Sequence, residues 1–292
     1  MANGNSLYEH ATEGKGVERT RNKLESRLRR PGKAKVRTLF LSDIHLGFKR
    51  ARARELNEFL QGVEAETIVL VGDIIDALSM ARRFFWSPEH TEVVRTLLAR
   101  RRAGTRLIYI PGNHDESLSM MAEVLHGQLE VHREWVHRTA RGERLLVMHG
   151  DQFDGMMPCP QWLTRVGDAM YDVMVMVSDS VNNLRRAVGR PYWPLAERLK
   201  LSVGTSVRYI TQFEQIAAAH ARAQGYDGVV CGHIHRANLR HIEGTLYCNT
   251  GDWVESCSAL VENPKGELQL LRWPHNPVPT RRVAAELVAD AA

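Results

Sequence analysis

Two histidines one residue apart, His233 and His235, follow a short apolar run that ends at Cys231. Alone the pair is weak evidence for any chemistry. Four earlier segments share its build, an apolar stretch that stops at Asp, Asn or His. Val36 to Ser42 leads into Asp43-Ile44-His45, Thr67 to Val71 into Gly72-Asp73, Thr105 to Ile110 into Gly112-Asn113-His114-Asp115, and Arg144 to Met148 into His149-Gly150-Asp151. Together, Asp43, His45, Asp73, Asn113, His149, His233 and His235 offer seven donors, too many for one ion and suited to two. Two divalent ions sharing a carboxylate sit about 3.5–4 Å apart and lower the pKa of water held between them. Imidazole mixed with carboxylate and amide oxygen suits Mn, Fe, Zn or Co better than Mg, which prefers oxygen and keeps its waters.

These donors can meet only if the five runs are strands that end at one edge. Parallel strands covered by helices leave their functional groups in loops at the carboxyl edge, and the motifs fall there. The covering helices are legible. Ala51 to Gln61 places Leu56, Phe59 and Leu60 on one face, and Ser87-Pro88 starts a helix from about Glu89 to Ala103 that Gly104 stops. Ser117 to His126 reads as a further helix, and Leu129 to Met148 as short strands with a turn at Arg141-Gly142.

From about 152 to 224 the strand rhythm gives way to helical spacing: Leu163, Val166, Met170, Val173, Met174, Val177 and Val181, then Thr205 to Gln224 ended by Gly225. This is read as a helical cap inserted between the fourth and fifth donor-bearing strands. Hairpins follow through Thr245 to Asn249 and Ser258 to Trp273. The expected organisation is a basic leader, 1–35; one domain, 36–273, with the cap inside it; and a surface tail, 274–292.

With 292 residues, 43% of them hydrophobic, the chain can bury a full core. No apolar run approaches the roughly 20 residues of a membrane span, and the N-terminus has no apolar signal segment. A cytoplasmic protein is expected, with peripheral contact at the inner face of an anionic membrane as an added option. The four cysteines form no CxxC pair, which fits a reducing compartment and argues against a cysteine zinc site. The net charge of +5 resides in the leader, where residues 1–37 hold ten Lys or Arg against four Glu and the remainder holds 29 basic and 30 acidic side chains. A solvated arm is the plain explanation. A non-enzymatic nucleic-acid binder is the weakest reading, because Arg19 to Arg37 carry no interleaved aromatics for base stacking.

In this order, Asp43-Ile44-His45, Gly72-Asp73-Ile74-Ile75-Asp76, Gly112-Asn113-His114-Asp115, His149-Gly150-Asp151 and Gly232-His233-Ile234-His235 resemble the motifs of the calcineurin-like metallophosphoesterases. The resemblance implies an α/β fold, a four-layer αββα sandwich with a helical cap. It implies that Asp43, His45 and His235 hold one metal, that Asn113, His149 and His233 hold the other, and that Asp73 bridges them. Hydroxide attack in line on phosphorus follows, with the metals and Asn113 taking up charge on the phosphoryl oxygens. His114 would steady the oxyanion or protonate the leaving oxygen, and Asp115 would orient its ring. Asp76 and Asp115 also read as plain caps of a turn and a helix.

The HGD motif followed by a helical insertion and then GHxH is similar to the UDP-2,3-diacylglucosamine pyrophosphatases of lipid A synthesis. That likeness implies hydrolysis of a lipid-linked nucleotide diphosphate to release UMP. The cap's methionines, Met156, Met157, Met170, Met174 and Met176, would form an apolar groove, with Arg185, Arg186 and Arg190 among the basic residues of a cationic rim. His114 stands where that family carries Arg. The alternative implied by the wider superfamily is a general phosphodiesterase or Ser/Thr-type protein phosphatase acting on another phosphate ester.

Overall fold

The computed structural model describes residues 34–117, 129–156, 181, 182, 185 and 204–273. Residues 1–33 of the leader, the helix expected after Ser117, most of the cap and the tail fall outside them, while Ala34 and Lys35, expected in the leader, open the first strand.

The chain opens with β1 (Ala34–Leu41), α1 (Ala53–Gly62), β2 (Val63–Val71), α2 (Ala77–Arg82), α3 (Pro88–Arg102) and β3 (Arg106–Ile110). Short strands β4 (Glu130–Val131), β5 (Trp135–Arg138) and β6 (Arg144–Val147) come next, then a 3-10 helix at Asp151–Met156. After the long helix α4 (Gly204–Ala223) come β7 (Gly228–Cys231), β8 (Asn238–Ile242), β9 (Thr245–Asn249), β10 (Ser258–Glu262) and β11 (Leu268–Arg272).

The strands form two sheets, ordered β11-β10-β1-β2-β3-β4 and β5-β6-β7-β9-β8. Within them β1, β2, β3 and β4 run parallel, as do β6, β7 and β9, so the donor-bearing strands end at one edge. Side chains on a strand alternate between faces, which sorts the apolar residues into layers. In β1, Leu39 and Leu41 join Leu56, Phe59, Leu60, Val93 and Leu97 of α1 and α3 on the outer face of the first sheet. Phe40 points the other way and packs with Val69, Ile108, Val147, Val230 and Leu260 between the sheets. Phe213, Ala217 and Ala221 of α4 cover the second sheet over Leu146, Val229 and Tyr247. Helix, sheet, sheet, helix is the expected sandwich.

Three local expectations change. β2 starts at Val63 rather than Thr67, because Val63-Glu64-Ala65-Glu66 already alternates between buried and exposed. Helix α2 had no signal, since it buries no residue and so has no apolar stripe to read. The expected hairpin at Thr245 to Asn249 is built by β8 and β9, while β9 also lies parallel to β7 inside the sheet.

Candidate metal centre

The ends of β1, β2, β3, β6 and β7 bring their polar residues to one cluster. Three overlapping groups have donor atoms within 4.8 Å of one another: Asp43 with His45 and His235, His45 with Asp73 and His114, and Asp43 with Asp73 and His149. Backbone bonds tie the loops together, Asp43 N to Gly72 O at 3.0 Å, His45 N to Asp73 O at 2.9 Å, and Gly232 N to His149 O at 3.1 Å. Gly72, at φ 82°, lies so close that a Cβ there would strike the His149 ring.

The backbone is strained at five of the expected donors. Asp43, His45, Asp73, His233 and His235 all have positive φ, between 49° and 68°. Only Glu243 and Cys257 share this among the described non-glycine residues. A left-handed conformation costs a non-glycine residue roughly 1–3 kcal/mol, so its concentration here marks a site whose geometry is fixed against local preference.

Hydrogen bonding sorts each side chain into an atom that is held and an atom that is left over. Asp43 Oδ2 accepts from Ser42 Oγ and from His233 N, the latter at 3.1 Å. Its Oδ1 is buried and has no hydrogen-bond partner, although His235 Nε2 lies 3.1 Å away. His149 donates Nδ1–H to Val71 O at 2.9 Å, which leaves Nε2 buried without a hydrogen bond, 3.4 Å from Asp73 Oδ2. Asp73 Oδ1 accepts from His114 N at 2.9 Å. The Nε2 atoms of His45 and His235 approach to 3.2 Å. Buried polar atoms are normally paired, and carboxylates and imidazoles that converge with two buried atoms left without a hydrogen bond are the setting in which a cation binds. The donor set therefore fits divalent ions.

Electrostatics agree. Burial would raise the Asp73 carboxyl, yet the surrounding imidazoles of His149, His45 and His114 hold it well below the usual carboxylate range. Burial would lower His149, and the charges of Asp73 and Asp43 instead push it up to about 10. A divalent cation in the same place replaces that proton as the counter-charge.

Asp76 keeps its expected cap and also takes the contact with His114 that was expected of Asp115. The partner of His114 is Asp76, with Nδ1 2.9 Å from Oδ1. Asp76 also caps α2, accepting from Ser79 N at 2.8 Å, and its Oδ2 lies 3.3 Å from His45 Nδ1. Asp115 does not orient the His114 ring. Its buried carboxylate accepts from the backbone N–H groups of Gly112, Asp73, Ile74 and Ile75, which pins the β2 and β3 loops together. Burial opposes the His114 proton, but the Asp76 bond and the Asp73 charge win and raise its pKa.

The remaining expected residues are less central. Asn113 is exposed on the Gly112–Asp115 loop. His233 packs beside His149, with ring centroids 5.2 Å apart, but its Nε2 turns to Asp154 Oδ1 at 2.9 Å. Asp154 and its second partner, Tyr209 Oη at 3.0 Å, went unnoticed in the sequence. Arg185 is half-buried, while Arg186 and Arg190 lie outside the described residues. Among the described residues no helix is long and apolar enough to cross a membrane.

Residues 36–237 match the family of calcineurin-like phosphoesterases. No curated protein matches the chain. Among solved structures it is similar to YfcE, a phosphoesterase from E. coli, at 15% identity over 80% of this chain and 97% of that one, TM-score 0.41. It is also similar to an archaeal phosphodiesterase, at 14% identity over 80% and 98%, TM-score 0.38. A third is the zinc complex of Vps29 from Entamoeba histolytica, at 12% identity over 80% and 97%, TM-score 0.35. Such distant likenesses add nothing to the family match. The match spans the strands that carry every ligand loop, and the chain belongs to the calcineurin-like phosphoesterase family, as a metal-dependent phosphoester hydrolase.

Proposed function

We propose that the chain hydrolyses its phosphoester with two divalent transition-metal ions, manganese, iron or zinc. Asp43, His45 and His235 would hold one ion, Asn113, His149 and His233 the other, with Asp73 between them. The observation that carries this reading is the pair of buried atoms, Asp43 Oδ1 and His149 Nε2, that no hydrogen bond satisfies. When bound, the ions supply positive charge to the phosphoryl oxygens and a water nucleophile of lowered pKa.

The chain's own residues supply the rest. Asp115 fixes the spacing of the β2 and β3 loops, and hence of Asp73 and Asn113. Asp76 takes the Nδ1–H of His114, so the ring holds its second proton at Nε2, 4.0 Å from Asp73 Oδ2. From there His114 protonates the departing oxygen, and exposed Asn113 contacts a phosphoryl oxygen.

For the substrate, the proposal is a lipid-linked nucleotide diphosphate of the UDP-2,3-diacylglucosamine kind, met at the inner face of a membrane. Among the described residues four large apolar side chains are exposed: Leu78, Phe84, Met156 and Val207. In the chain, Leu78 is two residues from Asp76, Met156 two from Asp154 and Val207 two from Tyr209. Exposed apolar side chains of this kind are compatible with an acyl-bearing substrate. A second reading, a phosphoesterase for small soluble esters, is favoured by His114 in place of arginine.

The test is a substrate panel with added manganese, comparing a lipid-linked diphosphate, a cyclic nucleotide and an aryl phosphate. Release of UMP from the lipid substrate at the highest kcat/KM supports the first reading. Efficient aryl phosphate hydrolysis with no gain from an acyl chain supports the second.

A further inference from the structure

His149 and His233 pack against each other, yet they are held from opposite sides of their rings. His149 gives Nδ1–H to the backbone carbonyl of Val71, which leaves Nε2 facing the cluster. His233 turns Nε2 to a carboxylate, Asp154 Oδ1, at 2.9 Å. A carboxylate acceptor selects the Nε2–H tautomer, and the lone pair then resides on Nδ1. The same Asp154 oxygen accepts Tyr209 Oη–H at 3.0 Å. Phe213, one turn beyond Tyr209 in α4, packs against the His233 ring with centroids 6.0 Å apart. Phe153 packs on Phe213 at 5.8 Å, which locks the 3-10 helix bearing Asp154 to α4. His233 itself sits at φ 68°, so its own backbone does not favour this placement.

We propose that Asp154, braced by Tyr209, is a positioning residue that fixes the His233 ring and its tautomer so that Nδ1 is the atom offered to the second metal ion. The inference rests on the two-ion reading above and adds a specific device to it. The side chain of Asp154 is about half exposed, 52%, and that of His233 is 12% exposed, so the brace closes the solvent side of the ring. Carboxylates that hold the far nitrogen of a metal-bound imidazole typically change metal affinity by about 10- to 100-fold when removed. Tyr209 acts one bond further away and is expected to matter less.

Two readouts on the full chain test this without relying on turnover. In the metal-free protein, nitrogen NMR of the His233 ring should report the Nε2–H tautomer in the wild type and in Asp154→Asn, whose amide oxygen can still accept, and a tautomer mixture in Asp154→Ala. Calorimetric titration with Mn should show one of two sites weakened about 10- to 100-fold in Asp154→Ala, with the other unchanged. Asp154→Asn should fall between Asp154→Ala and the wild type, and Tyr209→Phe closest to the wild type. Wild-type Mn affinity at both sites in Asp154→Ala, or an Nδ1–H tautomer for His233 in the wild type, overturns the proposal. A wild type that takes up no Mn would instead sink the two-ion reading, and the tautomer measurement still decides the role of Asp154.

Discussion

Asp43, just past the end of β1, and Glu262, on the neighbouring strand β10, are both fully buried carboxylates, and the protein treats them in opposite ways. Glu262 is saturated. Its Oε1 accepts from Ala140 N at 2.7 Å and Arg37 Nη1 at 2.8 Å, and its Oε2 from His137 Nε2 at 2.7 Å and Thr38 Oγ1 at 2.9 Å. Those partners come from both sheets, so Glu262 clamps the sandwich together. Past the C-terminal end of β1, Asp43 keeps one oxygen hydrogen-bonded and leaves the other without a hydrogen bond, 3.1 Å from His235 Nε2. A buried charge with every lone pair filled belongs to stability, and one with a lone pair left over belongs to a ligand.

The contrast is sharpest in a pair of isosteric substitutions. Asp73→Asn keeps an oxygen to accept from His114 N but removes the charge at the middle of the cluster. Phosphoester hydrolysis should fall by about 10³-fold or more, while the melting temperature of the metal-free protein moves little. Glu262→Gln should do the reverse, destabilising the fold by about 3 kcal/mol in chemical denaturation while leaving kcat near wild type. If Asp73→Asn unfolds the chain, or Glu262→Gln abolishes turnover, the division between clamp and centre is wrong.

Metal removal comes next in size. A site saturated at 100 times its Kd stabilises the folded chain by about 2.7 kcal/mol, so chelation should lower thermal stability in the wild type and hardly at all in Asp73→Asn. His114→Ala should lower kcat by about 10²-fold for an ester with a poor leaving group, and by much less for an aryl phosphate, whose leaving oxygen needs no proton. Equal losses on both substrates would remove His114 from the proton-donor role.

How far the sequence foretold all this differs between the two regions. The clustering of the five loops was legible because each follows an apolar run that ends in a polar donor type, a pattern that strand geometry explains residue by residue. The clamp was not, since Glu262 and His137 read as ordinary strand residues and their pairing spans two sheets. Adjacency misled the reading of Asp115, which follows His114 in the chain yet bonds backbone N–H groups, whereas Asp76 reaches His114 from a separate loop. Asp154 and Tyr209 gave no signal, because an Asp in a short turn and a Tyr on an amphipathic helix look the same whether or not they touch a ligand.

The smallest effect separates the regions by pH. Burial would raise the Glu262 carboxyl, but the bonds from His137 and Ala140 hold it below its ordinary value of 4.5. A depressed folded pKa gives stability that is present above about 4.5 and is lost as pH falls below it toward the folded value. Unfolding free energy measured from pH 6 down to pH 3 should decline more steeply in the wild type than in Glu262→Gln.

The central claim is that the bare lone pairs at the strand ends are kept for two ions. Titration of chelator-treated protein with Mn, followed by calorimetry and by hydrolysis of an aryl phosphate in the same samples, tests it directly. Two ions per chain, with turnover rising as the second site fills, is the result the structure predicts. Turnover that persists in the metal-free protein, or saturation at a single ion with full activity, would contradict it.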